Sequence, residues 1–207
     1  MSSVIQLKCQ NGVAEADLDR LRAGDSVELT GRVISLRDAS AARLAAAIDA
    51  GQPLPILIED QVLYAVGPSP PKPGQIIGSA GPTTTSRMTR FLPTLFKAGV
   101  RAIIGKGELH GEEVSPFLSQ GAVYFGAIGG LGALLAKQIS STHVVAYDDL
   151  GPEALYSLQI FAFPVVVIID RHGGNFHEIA RARWRQTSDT GSDVGSPWWP
   201  TSRRGRE

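Results

Sequence analysis

The residues VVVII at positions 165–169 decide the fold that this sequence predicts. All of these side chains are apolar, so neither face of the strand they form would meet water, which is typical of a buried strand in a parallel sheet. Before this run, strands and helices alternate through the second half of the chain, which predicts an α/β layer. These further elements are strands at 102–104, 123–125 and 144–146, a helix that opens at 81–84 and a helix at 131–139.

The first half of the chain is richer in strands. Apolar and polar residues alternate at 27–31, which predicts a strand with one wet face. The proline- and glycine-rich segment 67–74 predicts a turning connection, which we interpret as a surface loop inside one domain, with a hinge or domain border as the alternative. The remaining predicted elements are helices at 14–21 and 39–50 and strands at 56–58, 62–66 and 76–78.

One domain is predicted to span residues 1–186, followed by a tail at 187–207 that we expect to be disordered. Serine, threonine, glycine and proline dominate the tail, and it has no hydrophobic period. The pair Trp198-Trp199 within it is interpreted as loosely packed, with docking on a partner as the alternative.

Composition excludes several classes of protein. The 207 residues include 20 basic and 20 acidic ones, so the formal net charge is zero, which disfavours a nucleic-acid protein that binds through a broad basic face. Hydrophobic residues make up 43%, too many for a disordered chain. The first ten residues lack the apolar core of a signal peptide, and the uncharged stretch 114–136 has too many glycines and polar residues for a membrane span. We therefore expect a cytoplasmic protein.

The sequence contains few candidate metal ligands. Cys9 is the single cysteine, so no internal disulfide can form, and no iron–sulfur cluster or zinc site can be built from this chain's thiols alone. We interpret it as an incidental thiol in a reducing compartment. The histidines are scattered, and we expect no metal site among them: they are His110, His143, His172 and His177.

The segment GSAGPTTTSR at 78–87 is the strongest local feature. A strand is predicted to end there, a glycine turn follows, and a helix starts with proline and hydroxyl residues. Helix N-termini carry unpaired N–H groups and partial positive charge, so they hold anions, and Arg87 would add a fork for a carboxylate. An ordinary capped helix is the alternative. The Gly-Lys-[Ser/Thr] element of a Walker phosphate loop is absent from this segment.

Two more cations stand at predicted element borders. Arg37 follows the predicted strand that ends at Ile34, and Lys106 lies between two glycines just past the strand 102–104. Ligands of open parallel sheets collect at the carboxyl ends of the strands. Taken with Arg87, these cations indicate a small polyanionic ligand such as a dicarboxylate. Taken singly, each is more commonly a solvated turn residue.

These segments resemble the β subunit of L-tartrate dehydratase, which is equivalent to the C-terminal domain of the class I, iron–sulfur fumarases. The resemblance covers roughly residues 14–180 in consistent order, and GPTT at 81–84 with Arg87-Met88 is its most specific piece. The other matching segments are AGD at 23–25, LTG at 29–31, RDA at 37–39, IGKG at 104–107, GG at 129–130, DLGPEA at 149–154 and FP at 163–164.

The resemblance implies one half of a hydro-lyase that reversibly eliminates water from malate, tartrate or a related hydroxy-dicarboxylate. It implies a swivelling β/β/α domain with a parallel sheet, a second, smaller strand layer and flanking helices. It also implies that a 4Fe–4S cluster is carried by a partner α subunit in a hetero-oligomer, and that this chain alone binds no cluster. No nucleic-acid or membrane role is indicated.

The resemblance also assigns roles within the site. Thr83 corresponds to a threonine proposed to take or relay the C3 proton, although its weakly acidic hydroxyl would need a proton relay, for example a carboxylate of the partner. Fixed cations would stabilise the negative charge that builds on a carboxylate when the neighbouring carbon loses its proton. The residues assigned to substrate binding are Arg37, Arg87, Lys106, Gly81 and Thr84.

This chain departs from the family pattern at several positions. The family continues Arg-Asp-Ala with Ala-His, where this chain has Ser40-Ala41. Acidic residues are common just before FP, where this chain has QIFA at 159–162, and Thr85-Ser86 stand where small residues or glycine are usual. These departures can alter substrate choice or the subunit contact, but they leave Thr83 and the cations in place. A non-catalytic module that binds a dicarboxylate, or a structural subunit of the same fold, is the alternative function.

Overall fold

Seven β-strands form one hydrogen-bonded sheet in the computed structural model, which describes residues 4–189 and their side chains as far as Arg185. They are β1 (Ile5–Cys9), β2 (Ser26–Leu36), β3 (Val62–Ala65), β4 (Ala102–Gly105), β5 (Val123–Gly126), β6 (Ile139–Ala146) and β7 (Leu155–Ile169). The strands β1 to β5 pair in parallel with their neighbours, whereas β7 runs antiparallel to β2, β5 and β6. The protein is therefore α/β, as predicted, with a sheet of mixed strand direction.

The strand β2 pairs with three others. It pairs with β1 in its first half, with β3 at its end and with β7 along most of its length. Because β7 also pairs with β5, the strands β2, β3, β4, β5 and β7 form a closed circuit of hydrogen-bonded neighbours. The register between β2 and β7 shifts between Leu29 and Gly31, as at a β-bulge. Within residues 4–189, β1 and β6 are left as the edge strands of the sheet.

The parallel arrangement predicted for residues 165–169 is wrong. Val165 pairs antiparallel with Val27 of β2, and Val167 pairs antiparallel with Phe125 of β5. Val167 belongs to one buried cluster and Ile168 to another, so both faces of the strand are covered. A continuous apolar run therefore indicates burial on both faces, and it carries no information about the direction of the neighbouring strands.

Helices connect most of the strands. Between residues 4 and 189 the α-helices are α1 (Glu15–Asp19), α2 (Asp38–Asp49), α3 (Leu92–Lys97), α4 (Ser115–Gln120), α5 (Gly132–Ala136) and α6 (Phe176–Asp189). The 3₁₀ helices of this part of the chain are Thr85–Phe91, Gly111–Glu113 and Asp148–Glu153. No described helix combines the length and the apolar character that crossing a membrane requires.

Two predicted strands are wrong. Residues 56–58 and 76–78 lie in loops and join no ladder. The first segment follows Pro55, which cannot donate to a ladder. In the second region the backbone instead pairs across the proline-rich loop, where Ser69 donates its N–H to the carbonyl of Ser79 at 3.0 Å.

Other boundaries also shift. The helix predicted to open at 81–84 starts as the 3₁₀ helix Thr85–Phe91, and Pro93 stands in the first turn of α3, where its missing N–H costs no helical hydrogen bond. The helix predicted at 131–139 ends at Ala136, because Ile139 begins β6. The sequence interpretation missed β1, α4 and α6. β1 alternates apolar and polar residues, a strand signal that was available over its five residues. α4 has only six residues, and α6 is largely polar.

The structure divides into two units, residues 1–176 and 177–207, so most of α6 belongs to the second unit. α6 continues to Asp189, past the domain boundary that the sequence predicts at 186. The remaining residues of the predicted tail, with Trp198-Trp199, lie outside the described residues.

Two hydrophobic clusters cover the two faces of the sheet. Successive residues of β3 alternate between them, with Tyr64 in the first cluster and Leu63 in the second. The first cluster takes in residues of β1, α1 and α5, whereas the second takes in residues of α2, α3 and α4. The parallel strands β3, β4 and β5 thus lie between two buried layers, and their ends supply the polar positions described next.

Candidate active site

The carboxyl ends of four neighbouring parallel strands meet at one edge of the sheet. Arg37 follows β2, Gly67 comes shortly after β3, Lys106 follows β4, and Gly129 lies in the loop after β5. Residues that follow adjacent parallel strands lie side by side, and such edges are where α/β proteins bind ligands. Two of the predicted cations, Arg37 and Lys106, therefore lie at the same edge.

The threonine segment is inserted between the end of β3 and Lys106. Thr83 donates its N–H to the carbonyl of Ala65 at 2.7 Å, and its own carbonyl accepts the N–H of Lys106 at 3.1 Å. Thr85 donates its N–H to the carbonyl of Lys106 at 3.0 Å, which leaves Thr84 paired with Lys106 as in a parallel bridge. Backbone bonds thus hold Thr83, Thr84 and Lys106 together, and both threonines stay partly accessible.

Two buried tyrosines hold these loops through hydrogen bonds from their hydroxyl groups. The hydroxyl of Tyr64 donates to the carbonyl of Ala80 at 2.6 Å, and that of Tyr124 donates to the carbonyl of Gly107 at 2.8 Å. Burial raises the pKa of both hydroxyls, that of Tyr124 to about 12, so both remain protonated donors at neutral pH. The sequence interpretation missed both residues, since each occupies an ordinary strand position.

Gly81 lies where two backbones touch. A Cβ at this position would lie 3.3 Å from the Cα of Gly132, the first residue of α5, and the neighbouring Ala80 donates its N–H to the carbonyl of Gly132 at 3.0 Å. The GPTT loop is therefore packed directly on the start of α5. Gly81 fits this contact because it has no side chain, and the contact fixes the position from which Thr83 and Thr84 project.

Arg37 caps the start of α2. Its N–H donates to the Oγ of Ser40 at 3.0 Å, so Ser40 has a capping role at one of the positions that departs from the family pattern. The side chain of Arg37 is only 22% exposed. Gly67 packs against it so closely that a Cβ there would lie 2.5 Å from Nη1 and 2.8 Å from Cδ of Arg37. The guanidinium is thus held against the backbone that follows β3.

Two carboxylates contact the arginines of the site. Asp38 places Oδ2 3.2 Å from Nη2 of Arg87 and 3.7 Å from Nη2 of Arg37. Glu153 places Oε1 3.4 Å from the same Nη2 of Arg37. The structure thus brings Arg37 and Arg87 to one carboxylate. Sequence reasoning missed both acids as site residues, although each stands inside a matching segment, RDA or DLGPEA.

Lys106 is an exposed cation at the strand edge. Its side chain lies along Gly129, where a Cβ would come within 3.3 Å of Cδ and 3.8 Å of Nζ of the lysine. The ammonium group therefore reaches toward the loop that follows β5. Arg87 is also accessible, with 57% of its side chain exposed. Accessible cations of this kind can pair with the carboxylates of a small ligand.

The described chain contains no ready set of metal ligands. Among residues 4–189, no group of three or more His, Cys, Asp or Glu side chains is placed to hold a metal ion. Cys9 is fully buried at the end of β1, and burial raises the pKa of its thiol to about 12. A thiol that stays protonated is a poor iron or zinc ligand. The residues present therefore do not fit an iron–sulfur cluster bound by this chain alone.

Comparison with known proteins places the chain in a family context. Residues 1–180 match the family described as "Fumarase C-terminus". The chain is 35% identical over 165 residues to "Fumarate hydratase class I, anaerobic" of Escherichia coli, an alignment that covers 79% of this chain but only 30% of that relative. It is 34% identical over 155 residues to "Fumarate hydratase 1, mitochondrial" of Leishmania major, of which it spans 28%.

A shorter relative matches over most of its own length. The chain is 32% identical over 174 residues to the "Putative L(+)-tartrate dehydratase subunit beta" of Methanocaldococcus jannaschii, and the alignment covers 81% of this chain and 89% of that relative. The resemblance inferred from the sequence segments is confirmed by these matches.

Proposed function

Because this chain belongs to the fumarase C-terminal family, we propose that it is the β subunit of an iron–sulfur hydro-lyase. Its substrate would be a small hydroxy-dicarboxylate of the malate/fumarate or tartrate type, from which water is eliminated reversibly. The observation that carries the proposal is the strand edge where Thr83, Thr84 and Lys106 are bonded together and Arg37 and Arg87 share Asp38. The match to a subunit beta over 89% of that relative's length supports the assignment as a β subunit.

In this proposal the cations bind the two carboxylates of the substrate. Loss of a proton from carbon next to a carboxylate moves negative charge onto that carboxylate. Cations fixed beforehand stabilise this charge more in the transition state than in the ground state. Lys106 and Arg87 are accessible enough to meet a ligand, and Arg37 is held in place between Gly67 and Glu153.

Thr83 is the proposed proton-transfer residue. Its backbone N–H and carbonyl are both bonded, so the partly accessible side chain has a fixed origin from which to reach the substrate. A threonine hydroxyl is too weak an acid to keep the proton, so a relay is needed. We place that relay, for example a carboxylate, on the partner subunit.

The partner would be a cluster-bearing α subunit. The donor set in the described part of this chain does not fit a 4Fe–4S cluster, so we assign the cluster to the partner and assign none of its chemistry to these residues.

The proposal is tested by an anaerobic pull-down of the tagged full chain from its native cell, with iron and acid-labile sulfide measured on the eluate. We expect a stoichiometric partner that carries a labile cluster, and turnover of malate, fumarate or tartrate by the complex. A chain that elutes alone and iron-free from cells that express it would contradict the proposal. Dicarboxylate binding by that isolated chain without turnover would indicate the non-catalytic module instead.

The roles of individual residues are tested in the same complex. Thr83→Val and Lys106→Met should each lower kcat/KM about 100-fold or more, with assembly intact. Thr83→Ser, which keeps the hydroxyl, should retain most of the activity. Lys97→Met is the matched control, because Lys97 is an exposed lysine at the end of α3. Equal activities of Lys106→Met and Lys97→Met would remove Lys106 from the site.

A further inference from the structure

The backbone next to Glu153 is hydrogen-bonded to the end of β2, although the two segments are far apart in sequence. Glu153 is the last residue of the 3₁₀ helix Asp148–Glu153, between β6 and β7. The next residue, Ala154, accepts a hydrogen bond from the Oγ of buried Ser35 at 3.1 Å, and that Oγ accepts the N–H of Tyr156 at 2.8 Å. Ser35 stands two positions before Arg37, so the backbone around Glu153 is tied to the strand that carries Arg37.

The two oxygens of Glu153 make different contacts. Oε2 accepts the N–H of Ala39 at 2.8 Å, and Oε1 lies 3.4 Å from Nη2 of Arg37. Ala39 is in the first turn of α2, where N–H groups have no partner inside the helix and a negative charge is favoured. One carboxylate thus holds both the start of α2 and the guanidinium of its capping residue.

The Arg37 side chain is confined from a second direction. Gly67 packs against Nη1 and Cδ, as described above, and Nε of Arg37 is buried without a hydrogen-bond partner among the described residues. Arg87, by comparison, is mostly exposed and contacts only Asp38 among the ion pairs of the described chain. Of the two arginines assigned to the site, Arg37 is therefore the one whose orientation the protein fixes more completely.

We propose that Glu153 is a positioning residue that acts through Arg37, a role that rests on the proposed function of Arg37 as a substrate carboxylate binder. A free arginine side chain samples many rotamers, and confining it before the ligand arrives removes that entropic cost from binding and from the transition state. Glu153 contacts the guanidinium at Nη2. It touches no reacting atom itself.

The test is a double-mutant cycle on the assembled enzyme. We expect Glu153→Gln to lower kcat/KM about tenfold, since the amide oxygen can still accept the N–H of Ala39 but the charge that holds the guanidinium is lost. In an Arg37→Ala background the same substitution should change kcat/KM less than about twofold, because its only route to the substrate is gone. Asp149→Asn is the matched control: Asp149 belongs to the same 3₁₀ helix and pairs with Arg43 instead.

The outcomes distinguish failure of the positioning role of Glu153 from failure of the carboxylate-binding role of Arg37. A loss of equal size in both backgrounds, or no loss in the native background, would overturn the positioning role. A melting temperature of Glu153→Gln far below that of Asp149→Asn, combined with that equal loss, would identify a merely structural residue. If Arg37→Ala itself left kcat/KM unchanged, the carboxylate-binding role of Arg37 would be contradicted, and the inference about Glu153 would fall with it.

Discussion

At the scale of single residues, the candidate site is set by what surrounds each cation. The side chain of Arg37 packs against the backbone of Gly67 and pairs with Glu153, whereas Lys106 lies over Gly129 and remains accessible. Arg37 is therefore sensitive to changes in its neighbours that do not touch the ligand.

Gly67→Ala tests this sensitivity. The backbone of Gly67 is not in the left-handed region, so alanine is compatible with it, but the new Cβ would meet Nη1 and Cδ of Arg37. The flexible end of the arginine can move away, so we expect little change in the free energy of unfolding and about a tenfold loss of kcat/KM in the assembled enzyme. Urea denaturation and steady-state kinetics on one preparation measure both quantities. Unchanged kinetics would show that the position of the guanidinium does not matter.

At the scale of elements, Ser35 joins the end of β2 to the start of β7. Its buried hydroxyl accepts one backbone hydrogen bond and donates another. Ser35→Ala should therefore lower the free energy of unfolding by about 1–3 kcal/mol, because the N–H of Tyr156 and the carbonyl of Ala154 lose their partner. Chemical denaturation measures the change. Ser140→Ala is the control, since Ser140 is exposed on β6 and makes a single bond to the carbonyl of Gln159, and an equal loss there would contradict the prediction.

The elements also show what the sequence could predict. The strand predicted at 102–104 is confirmed as β4, because its apolar run, ended by glycine and lysine, is a local signal. The arrangement of β7 could not be read in the same way. Its antiparallel pairing with β2 depends on where the chain returns after β6, and no residue within the strand encodes that path.

The same distinction applies to the candidate site. The positions of Arg37 and Lys106 were predictable, because a residue that directly follows a strand lies at the sheet edge. The contact between Glu153 and the start of α2 joins residues 114 positions apart and depends on packing that involves β7. Tyr64 and Tyr124 were not predicted as site residues, because a tyrosine in a strand is ordinarily interpreted only as a core residue.

At the scale of the whole molecule, the buried acids make the fold sensitive to alkali. Burial raises the pKa of the Cys9 thiol from 9.0 to about 12, that of Tyr124 from 10.0 to about 12, and that of Tyr64 further still. In the unfolded chain these groups lose their protons at lower pH than in the native protein. Between the two pKa values, deprotonation therefore stabilises the unfolded state relative to the native state. The stability they contribute is fully present below pH 9 and is lost as the pH rises toward 12.

We therefore expect the free energy of unfolding to fall steeply between pH 9 and pH 12, by about 1.4 kcal/mol per group for each unit of pKa shift as an upper limit. Urea denaturation at several pH values measures the slope. Cys9→Ala should make the fall in unfolding free energy shallower just above pH 9, since the thiol has the lowest ordinary pKa of the three groups. A flat profile up to pH 11 would contradict the assigned burial of these side chains.

The closed circuit of strands also sets the order of events while the chain is being synthesised. β2 is finished at Leu36, but the strand that completes the circuit ends at Ile169, and the bond between Ser35 and Tyr156 spans 121 positions. Contacts this distant in sequence form slowly, because a long loop must close before they yield any stabilisation. Until β7 leaves the ribosome, the nascent chain therefore carries unpaired strand edges that neighbouring chains can capture. We therefore expect chaperone protection during translation to matter more for a chain of this topology than for one built from local hairpins.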